Sequence, residues 1–226
     1  MIPLRVTATL ETAIANPLRP PALDGLLAFV QAVYVEAREP ADPRLPVPPV
    51  SLDGVLARSS CGRYYLASFA LAEVEQWERG RYVNRRFPLN EAQMVGAAEG
   101  KQRLGTLSLQ GGPCKSFRIP LETAHLKGDV ITWYAVGDAD EVRARLAWVT
   151  HLGKRRGVGL GRIGRWTVEP CASWGEGFPV IRDGRPTRNL PRDAMHPEAA
   201  QAFEGFGCVT YPYFERDREE LCLVPS

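Results

Sequence analysis

Residues 129–170 read DVITWYAVGDADEVRARLAWVTHLGKRRGVGLGRIGRWTVEP, and this stretch decides the fold class. Its first part is rich in β-branched and aromatic residues, which predicts a strand over residues 130–136. Asp138 precedes a helical pattern and Glu141 follows three residues later, so we expect a capped helix that ends at Gly153. The predicted apolar stripe of this helix consists of Val142, Leu146, Val149 and Leu152. A glycine-rich segment follows, and then a second strand that stops at Pro170.

The amino-terminal part of the chain has the same order of elements. Residues 2–12 alternate apolar and polar side chains, which predicts a half-buried strand with Leu4, Val6, Ala8 and Leu10 on its inner side. Residues 22–37 carry apolar residues at spacings of three and four, which predicts a helix lying on a sheet. Asp24 is the expected cap of its first turn. The predicted stripe consists of Leu23, Leu26, Leu27, Val30, Val33 and Tyr34.

The remaining segments complete the predicted topology. Residues 63–87 indicate one or two strands, and the glycine-punctuated residues 88–120 indicate an inserted hairpin or lobe. The order is then β-α-β-β-α-β, and the predicted fold class is α+β, ferredoxin-like (RRM-like). We expect a core over residues 1–170 with the lobe inserted at about 88–120, and a C-terminal extension over 171–226 packed on the core.

The charge composition favours an anionic partner. The net charge is only +2, but the cations are 24 Arg against 4 Lys, and Arg binds phosphate bidentately and stacks on bases. A GC-rich genome, which favours Arg codons, explains the excess equally well. Residues 79–87 hold four Arg and no acid, whereas residues 198–220 hold six acids and two Arg. We therefore expect faces of opposite charge.

Cysteine spacing and hydropathy argue against several classes of protein. The five Cys residues include no C-x-x-C pair, which argues against a disulfide framework and against a zinc site. No charged-then-apolar leader opens the chain, and no apolar run approaches the ~18 residues of a membrane span. We expect a cytoplasmic protein with no membrane contact, no metal and no cofactor.

Residues 151–166 hold five glycines, five cations and no acid. Their GLGRIG matches the dinucleotide fingerprint by letter, but it leaves a helix and enters a strand, the reverse of the order that a pyrophosphate site needs. A Walker A loop is excluded because Arg155, not Ser or Thr, follows Lys154. Two interpretations remain, a solvated turn whose glycines accept positive φ and a bare backbone that seats a phosphodiester chain beside cations. We favour the second, with the candidate RNA-binding residues Lys154, Arg155, Arg156, Gly157, Gly159, Gly161, Arg162 and Arg165.

Other basic segments extend the predicted footprint. Residues 77–87 interleave aromatic residues with Arg81, Arg85 and Arg86, a pairing expected for single-stranded nucleic acid. An amphipathic strand with a basic, solvated face explains the same pattern equally well. The inserted lobe adds Lys101, Arg103 and Lys115, and the C-terminal part adds Arg182, Arg185, Arg188 and Arg192.

The inventory of catalytic residues is small. The three histidines, His125, His151 and His196, lie in no recognisable metal-binding pattern, no G-x-S-x-G is present, and the carboxylates are not clustered. His151 is placed to act as a general base on a ribose 2′-hydroxyl, or simply to favour the negative end of a helix. We predict a binding protein rather than an enzyme.

The fold plan and the basic glycine-rich loop between the second helix and the following strand resemble the RAMP superfamily of CRISPR-associated RNA-binding proteins. Within it, four stretches look like the Cas-five-like subunit of type IV effector complexes, the third Csf protein. They are LDGLLA at 23–28, GKRRGVGLGRIGRW at 153–166, GRPTRNLP at 184–191 and YPYF at 211–214.

The resemblance implies a non-catalytic subunit of an antiviral defence complex. Such a subunit holds the 5′ handle of the CRISPR RNA, caps a filament of backbone subunits, contacts the large subunit and meets target DNA indirectly. It also carries a thumb, which the lobe at 88–120 would supply. The alternative is a sister group, the Cas-six-like endonucleases, which process CRISPR repeat RNA without a metal; here His151 or Tyr34 would act with a nearby Arg. Those enzymes often place a catalytic His in or near the first helix, and this chain has none before His125.

Overall fold

A computed structural model describes residues 1–15, 21–36, 50–85, 117–194, 196–213 and 216–225. The chain is α+β, and it divides into two compact units, residues 1–76 with 124–226, and residues 77–123. Its helices and strands are α1 (Leu23–Val30) and α2 (Ala139–Leu146), and β1 (Ile2–Leu10), β2 (Ile14–Ala15), β3 (Val74–Arg85), β4 (Phe117–Leu126), β5 (Val130–Gly137), β6 (Ile163–Pro170), β7 (Ile181–Arg182), β8 (Arg185–Pro186), β9 (Leu190–Pro191), β10 (Phe203–Gly207) and β11 (Glu220–Val224). None of the helices in these ranges is long and apolar enough to cross a membrane.

The main sheet of the first unit has the strand order β5-β1-β6, and both pairings are antiparallel. Residues 66–71 continue this sheet beyond β5, because Ala67 bridges to Ala135 and Leu71 bridges to Thr132, both in antiparallel fashion. Four neighbouring segments therefore follow one another in the order β6, β1, β5 and 66–71. The predicted strands at both ends of the 129–170 stretch are confirmed.

One face of this sheet joins the apolar residues of both helices in a single core. Leu4, Val6 and Ala8 of β1 are fully buried, whereas Arg5 and Thr9 on the other face are exposed. This alternation is the one that the sequence predicts. It fixes the register of the strand, since a shift by one residue would turn the core side chains to solvent.

Helix α2 begins as predicted. The Asp138 carboxylate accepts hydrogen bonds from the backbone N–H groups of Asp140 and Glu141, each at 3.0 Å. These bonds lower the pKa of Asp138 because they favour the ionised carboxylate. The helix ends at Leu146 rather than at Gly153, because the chain turns away before the apolar stripe is complete. All four residues of the predicted stripe are nevertheless buried: Val142, Leu146, Val149 and Leu152.

Helix α1 is confirmed, but Asp24 is not its N-cap residue. Ala22 is the N-cap residue, and no side chain caps the first turn. Asp24 is buried and faces Arg188 and Tyr213 in the C-terminal part of the chain instead. Asp24 lies two positions inside the helix, where its Oδ1 accepts from the neighbouring N–H of Gly25 at 3.0 Å.

The predicted helix changes type at its end. After Val30 the backbone widens into a π-helical turn, Gln31–Val35, in which the N–H of Glu36 bonds to the C=O of Gln31 at 2.8 Å. A π-turn has more residues per turn than an α-helix, so the spacing of three and four no longer keeps side chains on one face. Val33 and Tyr34, which we expected to face the sheet, are therefore exposed.

The second three-stranded sheet has the order β2-β4-β3. Because β3 lies within residues 63–87, the prediction of a strand in that segment is confirmed. Within the second unit, the guanidinium carbon of Arg118 lies 3.7 Å from the centre of the Tyr82 ring, a cation–π contact. The predicted lobe at 88–120 lies outside the described residues except for its last four.

The C-terminal part contains a three-stranded sheet in the order β10-β11-β9 and the two-stranded pair β7-β8. Strand β10 pairs with β11 in antiparallel fashion, and β11 pairs with β9 in the same way. Arg188 is 0% exposed, which corrects the prediction that it contributes to a basic surface. Arg192 is exposed but pairs with Glu204 at 2.7 Å.

Candidate nucleic-acid interface

The glycine-rich segment forms a closed loop between α2 and β6. The backbone N–H of Leu152 donates to the C=O of Gly161 at 2.8 Å, and the N–H of Ile163 donates to the C=O of Thr150 at 2.9 Å. His151 and Arg162 form an antiparallel bridge between the same two segments, residues 150–152 and 161–163, which we call the arms of the loop. We call residues 153–161, which run from the end of the first arm to the start of the second, the glycine loop.

The glycine loop is also attached to the turn that follows β1. The hydroxyl of Thr12 donates to the C=O of Gly159 at 2.9 Å and accepts from the N–H of Arg162 at 3.0 Å. The N–H of Gly161 donates to the C=O of Ala13 at 2.8 Å. The position of the loop is therefore set by this turn as well as by its own arms.

The fold demands glycine at some loop positions and not at others. Gly161 has a φ of +65°, and a Cβ there would lie 1.9 Å from the carbonyl oxygen of Leu152. Gly159 has a φ of +83° with open space around its Cβ position, so its conformation alone favours glycine. Gly157 has neither a positive φ nor any neighbour within 4 Å. The described part of the structure therefore gives no reason for glycine at position 157.

The glycine loop exposes three successive cations, Lys154, Arg155 and Arg156. Over the described part of the chain, none of them lies within ion-pair distance of a carboxylate. Arg162 differs, because its Nε lies 2.9 Å from Oε2 of Glu11. Within the described residues, the positive charge is thus unmatched at the tip of the loop and matched where the two arms meet.

A cleft of about 330 Å³ lies beside the glycine loop. The rings of Tyr34 and Trp148 stack in it, with centroids 4.9 Å apart and an interplanar angle of 15°. Phe29 meets Tyr34 edge-on at 6.2 Å. His151 and Arg156 line the same cleft. Aromatic, basic and hydrogen-bonding groups therefore meet at one place.

Sequence reasoning missed Trp148. Helix α2 ends at Leu146, and the N–H of Trp148 bonds to the C=O of Arg145 in the turn that follows, at 3.1 Å. Val149 enters the core from this turn while Trp148 is 57% exposed. The available signal was an aromatic residue outside the apolar stripe, directly before a basic segment.

The two residues of the nuclease alternative, His151 and Tyr34, both line this cleft together with Arg156. Nδ1 of His151 lies 3.0 Å from the hydroxyl oxygen of Thr150. Among the residues with described positions, no three His, Cys, Asp or Glu side chains are grouped so that they could hold a metal ion. The chemistry available to the cleft from these side chains is stacking, hydrogen bonding and proton transfer.

The other predicted RNA-binding residues belong to other segments of the chain. Arg165 lies on β6 and is exposed. Arg81 and Arg85 belong to β3, within the second unit. Arg86, Lys101, Arg103 and Lys115 lie outside the described residues.

The model of the Csf3 family, described as CRISPR type IV associated protein Csf3, matches residues 2–225. No curated protein matches the chain. The matched range includes the glycine loop, the aromatic cleft and the C-terminal part of the chain.

Proposed function

This chain belongs to the Csf3 family of CRISPR type IV associated proteins, and from that premise we propose that it is the non-catalytic effector-complex subunit that holds the 5′ handle of the CRISPR RNA. The observation that carries the proposal is the exposed glycine loop, in which Lys154, Arg155 and Arg156 have no carboxylate partner in the described part of the chain. Unmatched cations attract a polyanion, and each phosphate that they neutralise releases counterions.

The backbone of the loop supports an extended ligand. Gly157 lies at the exposed tip, and no fold requirement explains its missing side chain. A strand of RNA needs close approach between its phosphates and the protein backbone, which a Cβ impedes. We therefore assign Gly157 to the contact and Gly161 to the fold.

We further propose that the main sheet is ferredoxin-like and that the protein is a RAMP protein. In support, segment 66–71 lies beside β5, so it takes the place of the second strand in a β-α-β-β-α-β plan. The glycine loop then connects the second helix to the last strand of that plan. The proposed neighbours in the complex are the backbone subunit and the large subunit, with target DNA reached through the guide, in the cytoplasm.

Changing Arg155 and Arg156 together to Ala should weaken the binding of a CRISPR repeat RNA roughly tenfold at about 0.1 M salt. The slope of log affinity against log salt should become shallower by about 1.4, because each phosphate contributes about 0.7 on a single strand. Fluorescence anisotropy at four salt concentrations measures both quantities. The folded state should persist because both side chains are exposed.

A matched variant separates the loop from net charge. Arg5 and Arg192 are exposed cations that already pair with Glu169 and Glu204, so changing both to Ala removes the same charge. This variant should bind with nearly wild-type affinity. If both variants lose the same RNA affinity, the loop acts only through the general positive charge of the protein. If the affinity of the wild type does not depend on salt, the ligand is a small anion.

The geometry supports one other function, a metal-independent RNA endonuclease. Its support is the placement of His151, Tyr34 and Arg156 around one cleft, where an imidazole and a phenol could move protons at a ribose hydroxyl. Incubation of the purified protein with repeat RNA in EDTA separates the two functions. Intact, shifted RNA is the result expected of a binding subunit. Discrete cleavage that is lost in His151→Ala or in Tyr34→Phe would establish the enzyme instead.

A further inference from the structure

We propose that the cleft beside the glycine loop binds one unpaired nucleobase of the RNA, stacked on the Tyr34–Trp148 pair. This inference rests on the proposed function and adds a base-binding site to it. The glycine loop binds phosphates, whereas the cleft binds one base, whichever of the four bases it is.

The first support is the arrangement of the rings. Tyr34 and Trp148 are nearly parallel, at an angle of 15°, and yet 46% and 57% exposed. Flat aromatic faces left open to water are the common platform for single-stranded nucleic acid, because every base has a π-face. Two local departures from helical structure, the π-turn after α1 and the early end of α2, produce this exposure.

The second support is the charge around the rings. Arg156 lines the cleft, and it directly follows Lys154 and Arg155 of the loop, which have no carboxylate partner among the described residues. Among the described residues, the lining of the cleft contains no Asp or Glu. An apolar segment of another protein would gain nothing from these cations, whereas a nucleotide carries a base for the rings and a phosphate for Arg156.

The third support is the size and polarity of the cleft. Its volume of about 330 Å³ is at the small end of ligand sites, which suits one nucleotide and excludes a duplex. Beside the rings, His151 and Thr150 offer hydrogen-bonding groups. Because a side chain with two tautomers can donate or accept, these groups fit the edge of any base.

The test compares two labelled RNAs by fluorescence anisotropy. One is a dodecamer of uridylate, and the other is the same ribose-phosphate chain with all twelve positions abasic, so that the phosphates are equal in number. Trp148→Ala should weaken binding of the first RNA about tenfold, the loss expected for one stacked base. It should change binding of the abasic RNA less than twofold, and it should leave the salt slope unaltered.

Two further variants make the result specific. Trp148→Phe retains an aromatic face, so its affinity should return to within about threefold of the wild type. Phe203→Ala removes an equally exposed aromatic side chain outside the cleft and should have no effect. Near-UV circular dichroism checks that each variant is folded.

The outcomes separate this inference from the function on which it rests. Wild-type affinity in Trp148→Ala, or an equal loss for both RNAs, overturns the base site while leaving phosphate binding intact. Unchanged RNA binding together with failure of Trp148→Ala to join the effector complex would assign the cleft to a protein partner. Failure of the wild type to bind either RNA would overturn the proposed function, and the base site with it.

Discussion

Replacement of Arg188 by Met should lower the free energy of unfolding by about 3–5 kcal/mol, the range found when one partner of a buried ion pair is removed. The side chain of Arg188 is 0% exposed, and its partner Asp24 is 2% exposed. Met fills a similar volume but carries no charge. Asp24 would then be a buried carboxylate without its cation. Urea denaturation followed by far-UV circular dichroism measures the difference.

The size of this effect follows from the number of groups that depend on Arg188. Its guanidinium lies 3.2 Å from Asp24 Oδ2, donates to the hydroxyl of Tyr213 at 2.8 Å and donates to the carbonyl oxygen of Ala67 at 3.0 Å. The Tyr213 hydroxyl in turn donates to Asp24 at 2.6 Å. Burial raises the pKa of Tyr213 well above its usual value, so the hydroxyl stays protonated at pH 7. The side chains of Arg188, Tyr213 and Asp24 therefore serve as hydrogen-bond partners for one another.

Two comparisons test this account of Arg188. Changing Arg192 to Ala breaks an exposed pair with Glu204 and should cost less than about 1 kcal/mol. A double variant, Arg188→Met with Asp24→Leu, should recover much of the loss, because neither charge is then left alone in the core. A single Arg188→Met variant with wild-type stability would mean that the cation is not buried as described.

Replacement of Gly161 by Ala should destabilise the protein by about 3 kcal/mol or more. A left-handed backbone conformation costs a residue with a Cβ about 1–2 kcal/mol, and here the Cβ would also lie 1.9 Å from a backbone oxygen. That oxygen belongs to Leu152, whose N–H is bonded to the C=O of Gly161 at 2.8 Å. The backbone must therefore move and the closure of the loop must weaken. Thermal and urea unfolding measure the loss.

Two other loop glycines, Gly157 and Gly159, provide a graded control. Gly159→Ala meets the conformational cost without the clash and should lose about 1–2 kcal/mol. Gly157→Ala should keep the stability within about 1 kcal/mol of the wild type, since nothing in the fold opposes a Cβ there. We expect Gly157→Ala to weaken RNA binding nevertheless. Equal stability of all three variants would contradict the described loop closure.

Local patterns in the sequence were sufficient for the local elements. The alternation of residues 2–10 predicts the buried face of β1, and the spacing of Asp138 and Glu141 predicts the start of α2. The family match over residues 2–225 confirms the resemblance to a type IV Csf protein. Each of these inferences depends on signals that lie within a few residues of one another or on a resemblance carried by short motifs.

Long-range pairing explains what the sequence could not predict. Asp24 has the sequence position expected of a helix cap, but its carboxylate accepts a hydrogen bond from Arg188, which lies 164 positions away in the chain. Arg188 itself has the appearance of surface charge within a run of arginines, because composition does not reveal which cation meets a buried carboxylate. The aromatic cleft was missed for another reason. The cleft forms where α1 passes into a π-helical turn and where α2 ends, so the helical spacing of apolar residues no longer predicts which side chains are buried.

The ion pair between Glu11 and Arg162 makes the loop electrostatically asymmetric. One end offers a polyanion three positive charges that no carboxylate of the described residues compensates, while the opposite end offers a cation that already has a counter-ion. An RNA chain would therefore cross over residues 154–156 instead of running lengthwise along the two arms. Removing the carboxylate with Glu11→Gln would lengthen the electropositive track by one charge and shift the path of the bound strand toward β6.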